Sequence, residues 1–123
     1  MGIISIILQV LLGFGFLMAG YGKVTGSKMH VEGFNHWKLP QWFRGVTGIV
    51  ELVGALALLI GIWAHSWAAV GALVIGITAI GGILTHMRVK DSFKQTSTIL
   101  FLGILAFIVF FINFGHLSNF PGF

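Results

Sequence analysis

Three residues in this chain are equipped for chemistry: Lys23, Glu51 and His86. Glu51 is the only charged residue in GIVELVGALALLIGIW, the run at positions 48–63, whose other residues all suit a lipid bilayer. A charged side chain well inside a span costs about 2.5–3.5 kcal/mol on insertion scales, so it is normally paired, protonated or functional. Counted from Gly45 at about 1.5 Å per residue, Glu51 lies about 9 Å into its span. That span holds no other ionisable group, so any partner must come from a neighbouring helix. Lys23 follows the first apolar run directly, and His86 closes the third. Arg88 and Asp91 stand just beyond, completing a polar cluster that opens toward one membrane face.

Such a cluster has clear uses. A carboxyl beside an ammonium in a low-dielectric pocket can give or take a proton, and imidazole titrates near neutrality and donates hydrogen bonds to carbonyl oxygens. Phe14, Phe16, Trp42 and Phe101 are flat apolar surfaces suited to an aromatic ring, and the sequence leaves open which of them line the pocket. The competing reading is an ion pair that pins the first three spans together. A protonated Glu51 facing nothing in particular is the third.

Membrane helices must hold these residues. Hydrophobic residues make up 57% of the chain and charged residues 8%, against about 25% charged in soluble domains. With a mean hydropathy of +1.00, a soluble fold could not cover itself with polar surface. At 123 residues the chain fits one domain, 1–123. Four segments reach the ~20 residues a span requires: Ile3–Gly20, Gly45–Trp63, Trp67–Thr85 and Thr96–Asn113. The expected fold is all-α, an integral membrane four-helix bundle. The first segment lacks the basic start of a signal peptide and outruns its usual apolar core, so it reads as an uncleaved span. Ile6 stands where a myristoylation motif needs Ser or Thr.

All seven Lys and Arg residues fall in the first and third connections, which share one side of a four-span protein. The positive-inside rule makes that side cytoplasmic and puts both termini outside, in a bacterial cell membrane. Trp63 and Trp67 flank the outer loop, while Tyr21, Trp37 and Trp42 crowd the inner one, as interfacial belts do. Val31, Phe34 and Trp37 form one apolar stripe, which predicts a short interfacial helix in the first loop. Pro40 suits a first helical turn, and Ser92 with Gln95 predicts a capping box opening the fourth span. Among the 18 glycines and their small neighbours, Ala64, Ala68, Ala72 and Gly76 repeat every fourth residue. That ridge is expected to pack helices closely, with Gly15 and Ala19 as its match on the first span.

Other chemistries fall away. The net charge of +4 is confined to short loops, without the basic helix or stripe that nucleic acid would require. Without cysteine there is no disulfide, thiolate site or iron–sulfur cluster. GFGFLMAG at 13–20 lies inside a span and follows no strand, and GYGKVT lacks the other residues of a phosphate-binding loop. The five histidines show no metal-binding spacing, so no metal site is expected. His65 and His116 belong to one face and His30, His36 and His86 to the other, which leaves no pair to clasp a haem at mid-membrane.

The pieces AGYGKVTG, KLPQWFRGVTGIVELVGALALLIG and GALVIGITAIGGILTH, in this order and spacing, resemble the DoxX-like family of small bacterial membrane proteins. The resemblance spans roughly 10 to 112, and Lys23, Glu51 and His86 fall on its motif positions. It implies a four-helix membrane bundle linked to quinone redox chemistry. Some relatives are subunits of a thiosulfate:quinone oxidoreductase, and others are tied to tolerance of quinones and catechols. This chain is shorter than those subunits and has no cysteine to carry a sulfur intermediate, which argues against thiosulfate as its substrate.

The leading expectation is therefore a membrane subunit of an oxidoreductase that binds a quinone-like aromatic from the cytoplasmic leaflet. Lys23, Glu51 and His86 are its candidate ligand-binding residues, with Arg88, Asp91 and Trp42 in support. No redox centre is visible in the chain and no catalytic residue is assigned. No cofactor is evident in the chain and quinone is the candidate one, so electrons would have to come from a soluble partner or a bound cofactor. A proton-coupled small exporter using Glu51 is one alternative, and an assembly subunit with a structural ion pair is another. The sequence also admits a homo-oligomer.

Overall fold

The computed structural model describes residues 2–120. Four helices are long and apolar enough to cross a membrane: α1 (Gly2–Thr25), α3 (Gln41–Ile60), α4 (His65–Arg88) and α5 (Phe93–Asn113). The predicted short helix is present as α2 (Lys28–His36), and a 3-10 turn, Phe114–Asn119, follows α5. The described residues contain no strand. α1 packs along α3, α3 along α4 and α4 along α5, while α5 returns to α1 and closes the bundle. Leu12, Leu58, Ala68, Ala72, Ile75 and Val109 form its core.

Only 22% to 39% of the residues in each span's most apolar stretch are buried inside the protein. The remainder, including Ile3, Leu11, Phe14, Ile77 and Phe111, turn large apolar side chains outward. In water that surface would be untenable. Facing acyl chains it is what a spanning helix requires. The chain is a multi-pass membrane protein in contact with the bilayer.

Helix ends lie beyond the apolar runs. α1 continues past Gly20 to Thr25, α3 begins at Gln41 rather than Gly45, and α4 extends past Thr85 to Arg88. Hydropathy marks where the hydrocarbon ends, but backbone hydrogen bonding continues into the interface. These added turns place Lys23 and His86 on rigid helices. α1 stops at Gly26, whose φ of +76° lets the Ser27 N–H reach back to the Gly22 carbonyl at 2.9 Å. α5 starts with the predicted capping box: Ser92 Oγ accepts from the Gln95 N–H, and the Gln95 side chain accepts from the Ser92 N–H. Pro40 stands one residue before the first turn of α3, as its N-cap.

The small-residue ridge packs, but not as expected. Ala68, Ala72 and Gly76 are buried against α3 and α5. A Cβ on Gly76 would lie 2.8 Å from the Phe107 ring. Gly15 faces open space, so it is no counterpart to the ridge. The close approach on α1 is made by Gly20 instead. A Cβ there would lie 2.8 Å from the Gly48 carbonyl oxygen, and one on Gly48 would lie 2.8 Å from the Gly20 carbonyl oxygen. Two backbones touch at this crossing, which only glycine permits.

Candidate functional site

The Gly20–Gly48 crossing builds the site. One helical turn beyond each glycine stand Lys23 and Glu51, so the contact that joins α1 to α3 also delivers the ammonium to the acid. Nζ of Lys23 lies 2.9 Å from Oε1 of Glu51, with side-chain exposures of 13% and 4%. The pair is nearly dry. At that distance it is an ion pair between two largely buried groups.

His86 is placed by the end of α4. Lys90 takes a left-handed φ of +60°, and the Asp91 N–H folds back onto the His86 carbonyl at 2.9 Å. That closure brings the Asp91 carboxylate to the His86 ring, with Oδ2 2.6 Å from Nδ1. Asp91 also reaches α2: Nε2 of His36 lies 2.7 Å from Oδ1, and Nε1–H of Trp37 donates to Oδ2 at 3.2 Å. The His36 hydrogen bond, foremost, holds the Asp91 carboxyl below the usual carboxylate range; burial opposes it, and bonds from His86 and Trp37 reinforce it. Arg88 donates to the Trp37 carbonyl from the same turn, tying α2 down at a second point. A short polar connection has thus become a clamp on the interfacial helix.

Under α2 lies a cavity of about 800 Å³. Lys23, Glu51 and His86 all line it, and Phe34, Trp37 and Phe43 form its aromatic wall. Phe34 meets Trp37 edge-on with ring centroids 5.3 Å apart, and Trp37 meets His86 edge-on at the same separation. The volume falls in the ~300–1,000 Å³ range of small-molecule sites, whose apolar walls carry a few placed polar groups. His30 also lines the cavity. Burial, foremost, and then Lys23 and Arg44 hold its ring below the usual imidazole value. A second groove, between α4 and α5, is lined by Gly76, Ala79, Gly103, Phe107 and other apolar residues only.

The aromatic residues expected from the sequence lie elsewhere. Trp42 is 70% exposed and does not line the cavity; Phe14 and Phe101 also face outward, and Phe16 is packed in the core. Depth can be read from a membrane sequence, but the direction a residue faces cannot, because lipid and core ask for the same apolar residues. The residues that do form the wall sit on α2 and the first turn of α3. Their signal was the stripe Val31, Phe34 and Trp37, which marks an interfacial helix without saying what lies beneath it. His36 carried no signal until Asp91, 55 residues away, was brought beside it. Among the described residues, no group of three or more His, Cys, Asp or Glu side chains is arranged to hold a metal ion.

Comparison with known proteins agrees with this architecture. The profile of the DoxX-like family matches residues 7–111. The uncharacterized protein YdgD of Bacillus subtilis (strain 168) is 41% identical over 91 residues, which cover 72% of this chain and 79% of YdgD. No solved structure matches the chain. Both Glu51 and its partner Lys23 fall inside the matched span, as does the whole cavity wall. The chain belongs to the DoxX-like family.

Proposed function

We propose that the cavity under α2 binds a quinone-like aromatic at the cytoplasmic leaflet, as part of a redox-associated membrane subunit. One observation carries the reading: an aromatic-walled cavity into which a buried acid, its ammonium partner and an imidazole all face. The ring lies against Phe34, Trp37 and Phe43, and its oxygens meet Lys23, Glu51 and His86. Glu51 and Lys23 exchange protons with the ligand's oxygens, and Asp91 orients His86 through Nδ1. Electrons come from a soluble partner docking at the basic end. That end faces the cytoplasm, because every Lys and Arg of the chain belongs to it.

Two experiments test this. Protein purified from membranes should release a quinone or hydroquinone into organic extract, and Glu51→Gln protein should release far less. No ring in the wild-type extract, together with proton-driven uptake of small cations into vesicles, would replace the reading with transport. For orientation, Gly115→Cys and Lys28→Cys sit in open space and at 89% side-chain exposure, and the chain has no cysteine of its own. An impermeant thiol reagent on intact cells should label position 115 and spare 28. The reverse pattern would turn the cavity outward.

A further inference from the structure

The acceptors beside Lys23 in the cavity select an oxidation state of the ring. A carboxylate only accepts hydrogen bonds, so Nδ1 of His86, 2.6 Å from Asp91 Oδ2, carries the ring's proton. In the neutral ring Nε2 is then a bare acceptor on a residue that lines the cavity. The Glu51 carboxylate, which lines the cavity, is a second acceptor. Thr78 and Thr85 donate their hydroxyl hydrogens to their own helix, to the Val74 and Gly81 carbonyls at 2.8 Å each, and so present lone pairs. The donors that line the same cavity include the Lys23 ammonium, a ring N–H of His30 and the Gln95 side-chain amide, whose oxygen is taken up by Ser92.

A dione brings only acceptors to such a wall. Its carbonyl oxygen beside Glu51 would set lone pair against lone pair. A hydroxyl resolves both contacts at once, accepting from the Lys23 ammonium while donating to the Glu51 carboxylate. An O–H donating to a carboxylate is also among the stronger hydrogen bonds. Resting on the reading of this cavity as an aromatic-ring site, we infer that it takes the reduced, dihydroxy form of its ligand, a hydroquinone, in preference to the quinone. The hydroxyl hydrogens bond the Glu51 carboxylate and His86 Nε2, and no covalent change is needed for the discrimination. With electrons supplied by the soluble partner, the cavity would hold the reduced product of its ring.

The test uses one ring in three forms: 2,3-dimethoxy-5-methylhydroquinone, its benzoquinone, and the hydroquinone with both hydroxyls methylated. Binding to the full-length protein in detergent is measured by anaerobic calorimetry. The hydroquinone should bind roughly 10- to 100-fold more tightly than either other form. Glu51→Gln should narrow that gap, since an amide N–H accommodates a carbonyl that the carboxylate repels. Quinone binding equal to or tighter than hydroquinone overturns the inference while the aromatic site stands. If none of the three binds wild-type protein that retains its folded helix content, the site reading falls, and the inference with it.

Discussion

The bundle buries polar side chains at both ends and uses them in opposite ways. At the end away from the basic loops, Ser5, Gln9 and Asn113 form a neutral network. Ser5 donates to the Gln9 side-chain oxygen at 2.7 Å, Gln9 donates to the Leu58 carbonyl at 2.9 Å, and Asn113 donates to Ser5 and to the Val109 carbonyl at 2.9 Å each. Three helices are joined, both Asn113 amide hydrogens are used, and none of the three side chains lines the cavity. At the basic end the buried groups are ionisable, Lys23 and Glu51 pair at 2.9 Å, and a cavity opens beside them. A network that closes on itself serves as glue. One left open toward a cavity is poised for a ligand.

The backbone crossing that feeds the basic end gives the largest expected effect. Gly48→Leu would force a side chain onto the Gly20 carbonyl, a backbone atom that has no side-chain freedom to yield. Folded protein should be lost from detergent extracts, and ligand binding with it. Leucine at Gly15, which faces open space, should leave both intact. Equal behaviour of the two variants would mean that the crossing does not organise the site.

Breaking the glue should be milder and purely structural. Gln9→Leu removes its bonds to Ser5 and Leu58 at near-constant volume. The expected cost is about 1–2 kcal/mol in a detergent unfolding assay, with unchanged affinity for the aromatic ligand. A drop in affinity at unchanged stability would erase the distinction between the two ends.

The clamp on α2 should respond to acid. Asp91 and His30 both titrate lower in the folded protein than in an unfolded chain, so the unfolded state binds more protons in both windows. His30 begins to oppose the fold as pH drops below its ordinary value of 6.5. The contribution of Asp91 is complete above the ordinary 3.8 and is lost as pH falls through its lower folded value. Hydrogen exchange of residues 28–36 should therefore show α2 opening more often as pH falls, after correction for intrinsic rates. Asp91→Asn should loosen α2 already at neutral pH, since an amide oxygen cannot serve His36, His86 and Trp37 together. α2 protection that is indifferent to both changes would refute the clamp.

The smallest effect concerns two lysines. Lys38 and Lys90 hold φ values of +59° and +60°, which cost a side-chain-bearing residue energy that glycine avoids. Lys38→Gly should stabilise the protein by about 0.5–1 kcal/mol in the same unfolding assay. Destabilisation would show that the Lys38 side chain holds α2 by contacts of its own.

The two ends also differ in how well the sequence reveals them. Four spans, their shared basic side, the interfacial helix and the Ser92 capping box all follow from composition and local spacing. Glu51 stands out because a charge in an apolar run is conspicuous, and Lys23 follows from matching depth. Ser5, Gln9 and Asn113 do not stand out: each is a single neutral residue near a helix end, unremarkable until folding brings 5 and 113 together. The same limit displaced the aromatic wall from Trp42 and Phe101 to Phe34 and Phe43. A spacing signal was nonetheless present. Gly20 and Lys23 repeat the spacing of Gly48 and Glu51, glycine then charge one turn on, which is what a close crossing with a paired site beside it requires.

The most direct test compares Glu51→Gln with Glu51→Gln combined with Lys23→Met, reading detergent stability and hydroquinone affinity from the same preparations. If Glu51 serves the cavity, the single variant folds and accumulates but loses affinity, and the added Lys23→Met restores nothing. If Glu51 is only a structural partner, stranding the Lys23 ammonium costs about 3–5 kcal/mol. Stability lost in the single variant and regained in the double, with affinity unchanged throughout, would contradict the account.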